Sequence, residues 1–208
     1  MEADGQQTTI DLIRHGEHAL GAVICGVTDP QLTTLGWSQL ENRIATLVSH
    51  GSDWDMCISS PRIRCAGFAS QMARDHGIDY AENQGFAEVN FGEWEAKSYD
   101  QIHAEHPGEW RQWIDNPQQP APHGGERYAD FLGRIESAWQ SLLDQHRGKR
   151  VLVFAHGGVI RAVFRAVLSL DSGSLNRFNV PHACHTRIIV YHHPDQPDLA
   201  QLERHHTF

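Results

Sequence analysis

The sequence predicts an α/β fold, a three-layer sandwich with a mostly parallel central sheet and helices on both faces. Two observations carry this. Short runs of strand-forming residues alternate with helical stretches along most of the chain, the pattern that gives parallel sheets with crossover helices. One run, Val151 to Ala155 (VLVFA), is apolar without interruption, as a strand buried on both faces must be.

Taken in order, Thr8 to Ile13 (TTIDLI) reads as a short strand rich in β-branched residues that runs directly into Arg14-His15-Gly16-Glu17. A loop with Gly21, Gly26 and Asp29-Pro30 follows. Thr33 or Thr34 can cap the next helix, whose apolar positions Leu35, Leu40, Ile44, Leu47 and Val48 roughly follow the helical period. Asp55 to Ser59 (DMCIS) is a second strand. Ser60-Pro61 then places a cap before a proline at the first helical position, predicting a helix from Pro61 to about His76. Residues 84–122 are rich in tryptophan, glutamate and proline and read as an inserted, loop-rich covering segment with a short helix near Ser98 to Glu105.

The clearest helix follows His123-Gly124-Gly125, because Tyr128, Phe131, Leu132, Ile135, Trp139, Leu142 and Leu143 form one apolar stripe. After the VLVFA strand and His156-Gly157-Gly158, a helix should run through Val159 to about Ser169. Arg187 to Tyr191 reads as the last strand, and the polar tail over residues 194–208 as loose. No repeat or linker divides the chain, so a single domain over residues 1–208 is expected.

Composition narrows the function. The 208 residues carry a net charge of −9, which argues against a general nucleic-acid or anionic-membrane binder. No stretch approaches the roughly 20 apolar residues that span a bilayer, and residues 1–8 lack the marks of a signal peptide, so a cytoplasmic protein is expected. Four cysteines (Cys25, Cys57, Cys65, Cys184) are scattered without a CxxC pair, which speaks against a disulfide framework or zinc knuckle. Self-association into a homodimer is left open.

Sites in open sheets form beyond the carboxyl ends of the strands. Two strands here end alike, one in Arg14-His15-Gly16 and one in His156-Gly157-Gly158, so two histidines from distant parts of the chain should share one sheet edge. Six motifs occur in order: Leu12-Ile13-Arg14-His15-Gly16-Glu17, Leu32-Thr33-x-x-Gly36, Ser59-Ser60-Pro61-x-x-Arg64, Glu88-x-x-Phe91-Gly92-x-Trp94-Glu95, Gly124-Gly125-Glu126 and Ala155-His156-Gly157-Gly158. Together they resemble the histidine phosphatase superfamily, which includes the cofactor-dependent phosphoglycerate mutases. Arg14-His15-Gly16-Glu17 with Leu20-Gly21, and Phe91-Gly92-Glu93-Trp94-Glu95, are similar to the alpha-ribazole phosphatases that serve cobalamin synthesis.

Phosphoryl transfer needs an in-line nucleophile, positive charge on the equatorial oxygens and an acid for the leaving group. His15 is the candidate nucleophile, since neutral imidazole is competent near pH 7. Arg14 beside it would favour the neutral form and grip phosphate by two hydrogen bonds. The resemblance gives His156 a role in binding phosphate and stabilising charge, while Gly157-Gly158 lets backbone approach the ligand at a helix start. Arg62 and Arg64 cannot face the same way on a helix. The family match selects Arg64 for the pocket and leaves Arg62 solvated. Glu88, Glu93 and Glu95 are all candidate acids by position; the resemblance picks Glu88 and leaves Glu93 and Glu95 on the surface. Glu17 reads as a helper of loop geometry.

The scheme requires no metal or cofactor. His182-x-x-His185, His192-His193 and His205-His206 lack a carboxylate or cysteine to complete a ligand set. The resemblance departs at two places: the covering segment lacks the longer, more basic insertion expected of a phosphoglycerate mutase, and where many relatives carry threonine and then asparagine, His18 and Ala19-Leu20-Gly21 follow Glu17. Backbone amides around Cys25-Gly26, Gly26 above all, are expected to replace that phosphate contact.

The resulting expectation is a metal-independent phosphomonoesterase acting through a phosphohistidine, with alpha-ribazole 5′-phosphate as candidate substrate. A broad sugar-phosphate phosphatase or a phosphoglycerate mutase is the enzymatic alternative, and a phosphate-binding module without turnover the non-enzymatic one. Phe91, Trp94, Trp110 and Trp113 either line the entrance for a flat leaving group or only pack the covering segment.

Overall fold

The computed structural model describes residues 6–206. Its six-stranded sheet has the order β3-β2-β4-β1-β5-β6. The strands are β1 (Gln7–Arg14), β2 (Met56–Ser59), β3 (Asp79–Glu82), β4 (Arg150–Ala155), β5 (His185–Tyr191) and β6 (Leu199–His206). Pairings among β3, β2, β4 and β1 are parallel, and β5 and β6 join antiparallel. The sheet is therefore mostly parallel, as the sequence predicts.

The helices are α1 (Thr34–Ser49), α2 (Ile63–His76), α3 (Tyr99–Glu105), α4 (Glu109–Asp115), α5 (Tyr128–Gln145) and α6 (Gly157–Leu168). Strand β4 shows how the layers are held. Val151, Val153 and Ala155 pack into one hydrophobic cluster with α5, α6 and the covering segment, while Leu152 and Phe154 pack into a second with α1 and α2. A strand buried on both faces needs apolar residues at every position, which is what VLVFA supplies. Among the described residues no helix is long and apolar enough to cross a membrane.

Several boundaries differ from the sequence reading. Helix α1 starts as expected, with Thr33 Oγ1 accepting from Gly36 N at 3.0 Å, but Leu35 and Val48 of its apolar set face solvent. Only Gly36, Leu40, Ile44 and Leu47 are buried, a stripe narrowed by the two-helix layer. Helix α2 begins at Ile63 rather than Pro61. Its first free amide is satisfied from another loop, Ile63 N donating to Asp29 Oδ2 at 2.9 Å. Ser60, expected as the cap, is drawn into the site described below.

Strands β3 and β6 were not expected. Both are edge strands, where one face meets solvent and polar residues are tolerated. The tail is thus not loose over residues 199–206: Leu199–His206 pairs along β5, with a bulge at Arg187/Ile188. Ala200 and Leu202 pack against the core, and a polar sequence is held mainly by its backbone ladder. Strand β5 also starts two residues earlier than expected, at His185.

The covering segment is more regular than a loop. Helix α3 carries a complete capping box between Ser98 and Gln101, and α4 follows without having been expected. Trp94, Trp110 and Trp113 pack against one another and against Phe91 and His123 by stacked and edge-on ring contacts, which fixes the segment over the sheet edge.

Candidate active site

Register between β1 and β4 creates the site. Arg14 stands opposite Ala155, so His15 and His156 leave neighbouring strands at the same level. His15 N donates to Ala155 O at 3.0 Å, and the two imidazole rings lie edge-on with centroids 5.2 Å apart. Both are almost wholly buried. His15 Nδ1 lies 2.8 Å from Gly16 O. A carbonyl only accepts, so Nδ1 carries the proton and Nε2 holds the free lone pair.

Burial, then Arg14 and Arg64, push the His15 pKa well below its ordinary 6.5, with the Gly16 carbonyl opposing. His156 is pushed well below the same value by burial and then by Arg64, His15 and Arg14. Both rings are therefore held neutral. His156 Nε2 is 2.7 Å from Ser60 Oγ, which also accepts from Arg62 N at 3.3 Å. This is where the expected helix cap is used.

Arg14 and Arg64 are fixed differently. Arg14 Nη1 donates to Val180 O at 2.6 Å, and its Nε has no partner. Arg64 is completely buried; it donates to Cys25 O (2.6 Å) and Thr28 O (3.0 Å) and pairs with Asp29 at 3.2 Å, leaving Nε without a partner. Arg62 is half-buried rather than solvated, with its own Nε buried and unpaired.

Glu88 joins the group from the covering segment. Its Oε2 accepts from Gly158 N at 3.0 Å, an acidic group on the first turn of α6. Its backbone is clamped: Arg134 donates to Glu88 O and Ala87 O while forming a two-pronged pair with Glu126. The Gly124-Gly125-Glu126 motif thus acts through Arg134 on the position of Glu88. The Leu32-Thr33-x-x-Gly36 motif is also structural, since a Cβ on Gly36 would overlap the Glu17 carbonyl.

One assignment is corrected. Gly26 N does not face the site as a free phosphate donor; it donates to both oxygens of Glu95, at 3.1 Å each. Glu95 also accepts from Val27, Thr28 and Phe91 amides, so it is no surface residue but the pin of this loop. Burial works to raise its pKa, and the hydrogen bonds from Thr28 and the amides outweigh it and lower it. Gly26 is required for close approach, because a Cβ there would overlap the Val89 carbonyl. Glu93 is exposed, as expected, and Glu17 binds Thr33 Oγ1 at 2.9 Å, which makes it the loop helper it was read as.

A cavity of about 230 Å³ opens over these residues. Arg14, His15, Glu88 and Gly157 line it directly, while His156 adjoins it through the His15 ring and Arg64 through Cys25. Phe91, Tyr99, Trp110, Trp113 and Tyr128 form an aromatic side; Trp94 is fully buried beneath and only packs. Sequence reasoning missed His18 and Arg161 in this wall. Arg161 sits one helical turn beyond Gly157 and so on the same face of α6, a spacing that could have pointed to it. His18 had no such signal. Although the chain carries a net charge of −9, three arginines line or adjoin this one cavity beside a single glutamate.

The family model described as the histidine phosphatase superfamily (branch 1) matches residues 10–203. Among curated relatives, a bifunctional protein of Mycobacterium tuberculosis is 28% identical over 86% of this chain, which spans about half (49%) of that relative's length. Phosphoserine phosphatase 1 of Hydrogenobacter thermophilus is 25% identical, covering 85% of this chain and 84% of its own. A 2,3-bisphosphoglycerate-dependent phosphoglycerate mutase of Methylorubrum populi is 31% identical over 77% of each. The same fold occurs in a putative alpha-ribazole-5′-P phosphatase from Escherichia coli (TM-score 0.80, 24% identity, 96% of each chain). It occurs too in a mycobacterial glucosyl-3-phosphoglycerate phosphatase complexed with VO3 (TM-score 0.79, 23% identity, 94% of this chain and 97% of that one).

Proposed function

Because the chain belongs to the histidine phosphatase superfamily, we propose that it is a phosphoric monoester hydrolase working through a phosphohistidine on His15. The observation that carries this is the His15 ring, buried between arginines with Nδ1 bonded to a carbonyl and Nε2 left as the nucleophilic atom.

Nε2 attacks phosphorus and the phosphorus–ester oxygen bond breaks. Glu88 gives the leaving oxygen its proton, and the alcohol departs. Water then attacks the phosphohistidine, passes a proton back to Glu88 and frees Nε2 with release of phosphate. Arg14 and Arg64 supply the positive charge on the phosphoryl oxygens, and His156 contacts them as a neutral group. A purified His15→Ala protein that keeps full hydrolysis of an aryl phosphate would overturn this reading.

Two features bear on the ester. The aromatic side of the cavity supports a leaving group with a flat face, of which alpha-ribazole 5′-phosphate is the candidate. Arg161 favours an alcohol that carries an acidic group, as phosphoserine and the phosphoglycerates do. It lines the cavity with its Nε on Phe178 O and has no carboxylate within 4.0 Å among the described residues. Specificity constants across a panel of both kinds of ester separate the two. Loss of activity in Arg161→Gln toward phosphoserine but not toward an aryl phosphate would favour the second. Exchange of 2- and 3-phosphoglycerate that needs the bisphosphate primer would instead support a mutase.

A further inference from the structure

We propose that His18 is a phosphate-binding residue of this site, its imidazole making a hydrogen bond to an oxygen of the phosphoryl group held at His15. The inference rests on the phosphatase reading and adds a contact to it.

His18 is 4% exposed, yet it forms cavity wall together with Arg14 and His15. Its ring lies 5.7 Å from that of His15 and 6.1 Å from that of His182. Its Nδ1 is buried with no hydrogen-bond partner. Buried polar groups are almost always paired, so an orphan in the wall of an anion site points to a missing ligand. Either tautomer of neutral imidazole has one N–H, and a phosphoryl oxygen is a charged acceptor for it.

The ring is not needed to hold its own loop. Backbone does that: His18 bridges to Leu32, Ala19 N donates to Gln31 O at 2.9 Å, and Gly21 N to His18 O at 3.1 Å. The loop therefore presents the ring rather than depending on it. The amides expected to contact phosphate, Gly26 and its neighbours, are spent on Glu95 and so do not compete with His18 for that contact.

Inorganic phosphate, the product of the proposed reaction, is the probe. It is titrated into histidine-¹⁵N-labelled protein, and the ring nitrogens are followed by NMR. The His18 ring signals should move saturably, with the same Kd as those of His15. By calorimetry, His18→Ala should raise the phosphate Kd about tenfold or more, the loss of one hydrogen bond to a charged group. His18→Asn, which keeps a donor, should recover most of it. Wild-type affinity in folded His18→Ala, or unmoved His18 signals at saturation, overturns the role. If His18→Ala does not fold, the wild-type NMR titration decides alone. Absence of any phosphate binding to the wild-type protein would overturn the phosphatase reading as well, so the two failures are distinct.

Discussion

His156 Nε2 lies 2.7 Å from the hydroxyl of Ser60, a residue 96 positions earlier in the chain at the end of β2. That hydroxyl sets the orientation of a ring that stands edge-on to His15. Ser60→Ala is expected to keep the fold and lower kcat about three- to tenfold, since a net hydrogen bond is worth about 0.5–1.5 kcal/mol and about 1.4 kcal/mol is tenfold in rate. Steady-state hydrolysis with circular dichroism checks it; an unchanged kcat would mean that packing alone holds His156.

Glu95 collects four backbone amides, from Gly26, Val27, Thr28 and Phe91. The same loop supplies the carbonyls that hold Arg64. Glu95→Ala should lower stability by about 2–4 kcal/mol, because partly buried amides lose their acceptor. It should also weaken catalysis by loosening Arg64. Urea unfolding reads the first effect, and a loss below 1 kcal/mol would show that water replaces the carboxylate freely.

The acid limb of activity should lie well below 6.5. Burial and then Arg14 and Arg64 disfavour protonation of His15, so the proposed nucleophile stays neutral as pH falls through the ordinary imidazole range. The check is kcat/KM against pH, corrected for the substrate's own second ionisation near 6. A limb that stays at about 6.5 after the substrate's ionisation is taken out would contradict the structure.

Stability should fall between pH 6.5 and about 4. Burial first, with Arg14 and His18 adding to it, lowers His182 to about 4, and burial lowers His123 to about 4 against Glu95 and Glu109. These depressed values mean that the unfolded chain binds protons in this window while the folded chain does not. Each such histidine costs at most about 1.4 kcal/mol per pH unit, less where solvent reaches the ring. Asp11 acts lower on the scale. Burial would raise its pKa, but His185 and Arg187 hold it at about 2, so its stabilisation is present above about 3.9 and is lost as pH falls toward 2. Urea midpoints at pH 7, 5.5 and 4.5 test the first window, and a flat series would rule it out.

Much of the site was legible because its chemistry sits where local sequence and strand order coincide. A strand that ends in Arg14-His15-Gly16 and another that ends in His156-Gly157-Gly158 place their histidines by covalent adjacency, and an apolar VLVFA run can only be central. Glu88 and Arg64 were chosen by resemblance, and the structure gathers them around the same cavity.

What the sequence determined by itself was therefore the sheet class, the central strands and the residues attached directly to their ends. Local residue pattern is enough for those, because burial dictates alternation or continuity of apolar positions. Only the tertiary structure decided the rest: that Ser60 orients His156 instead of capping α2, that Glu95 consumes the Gly26 amide, that a polar tail pairs as β6, and that His18 and Arg161 share the cavity. Each depends on a hydrogen bond or contact between residues far apart in the chain. A donor's choice of acceptor is settled by which groups the fold brings within 3 Å, and no local pattern encodes that.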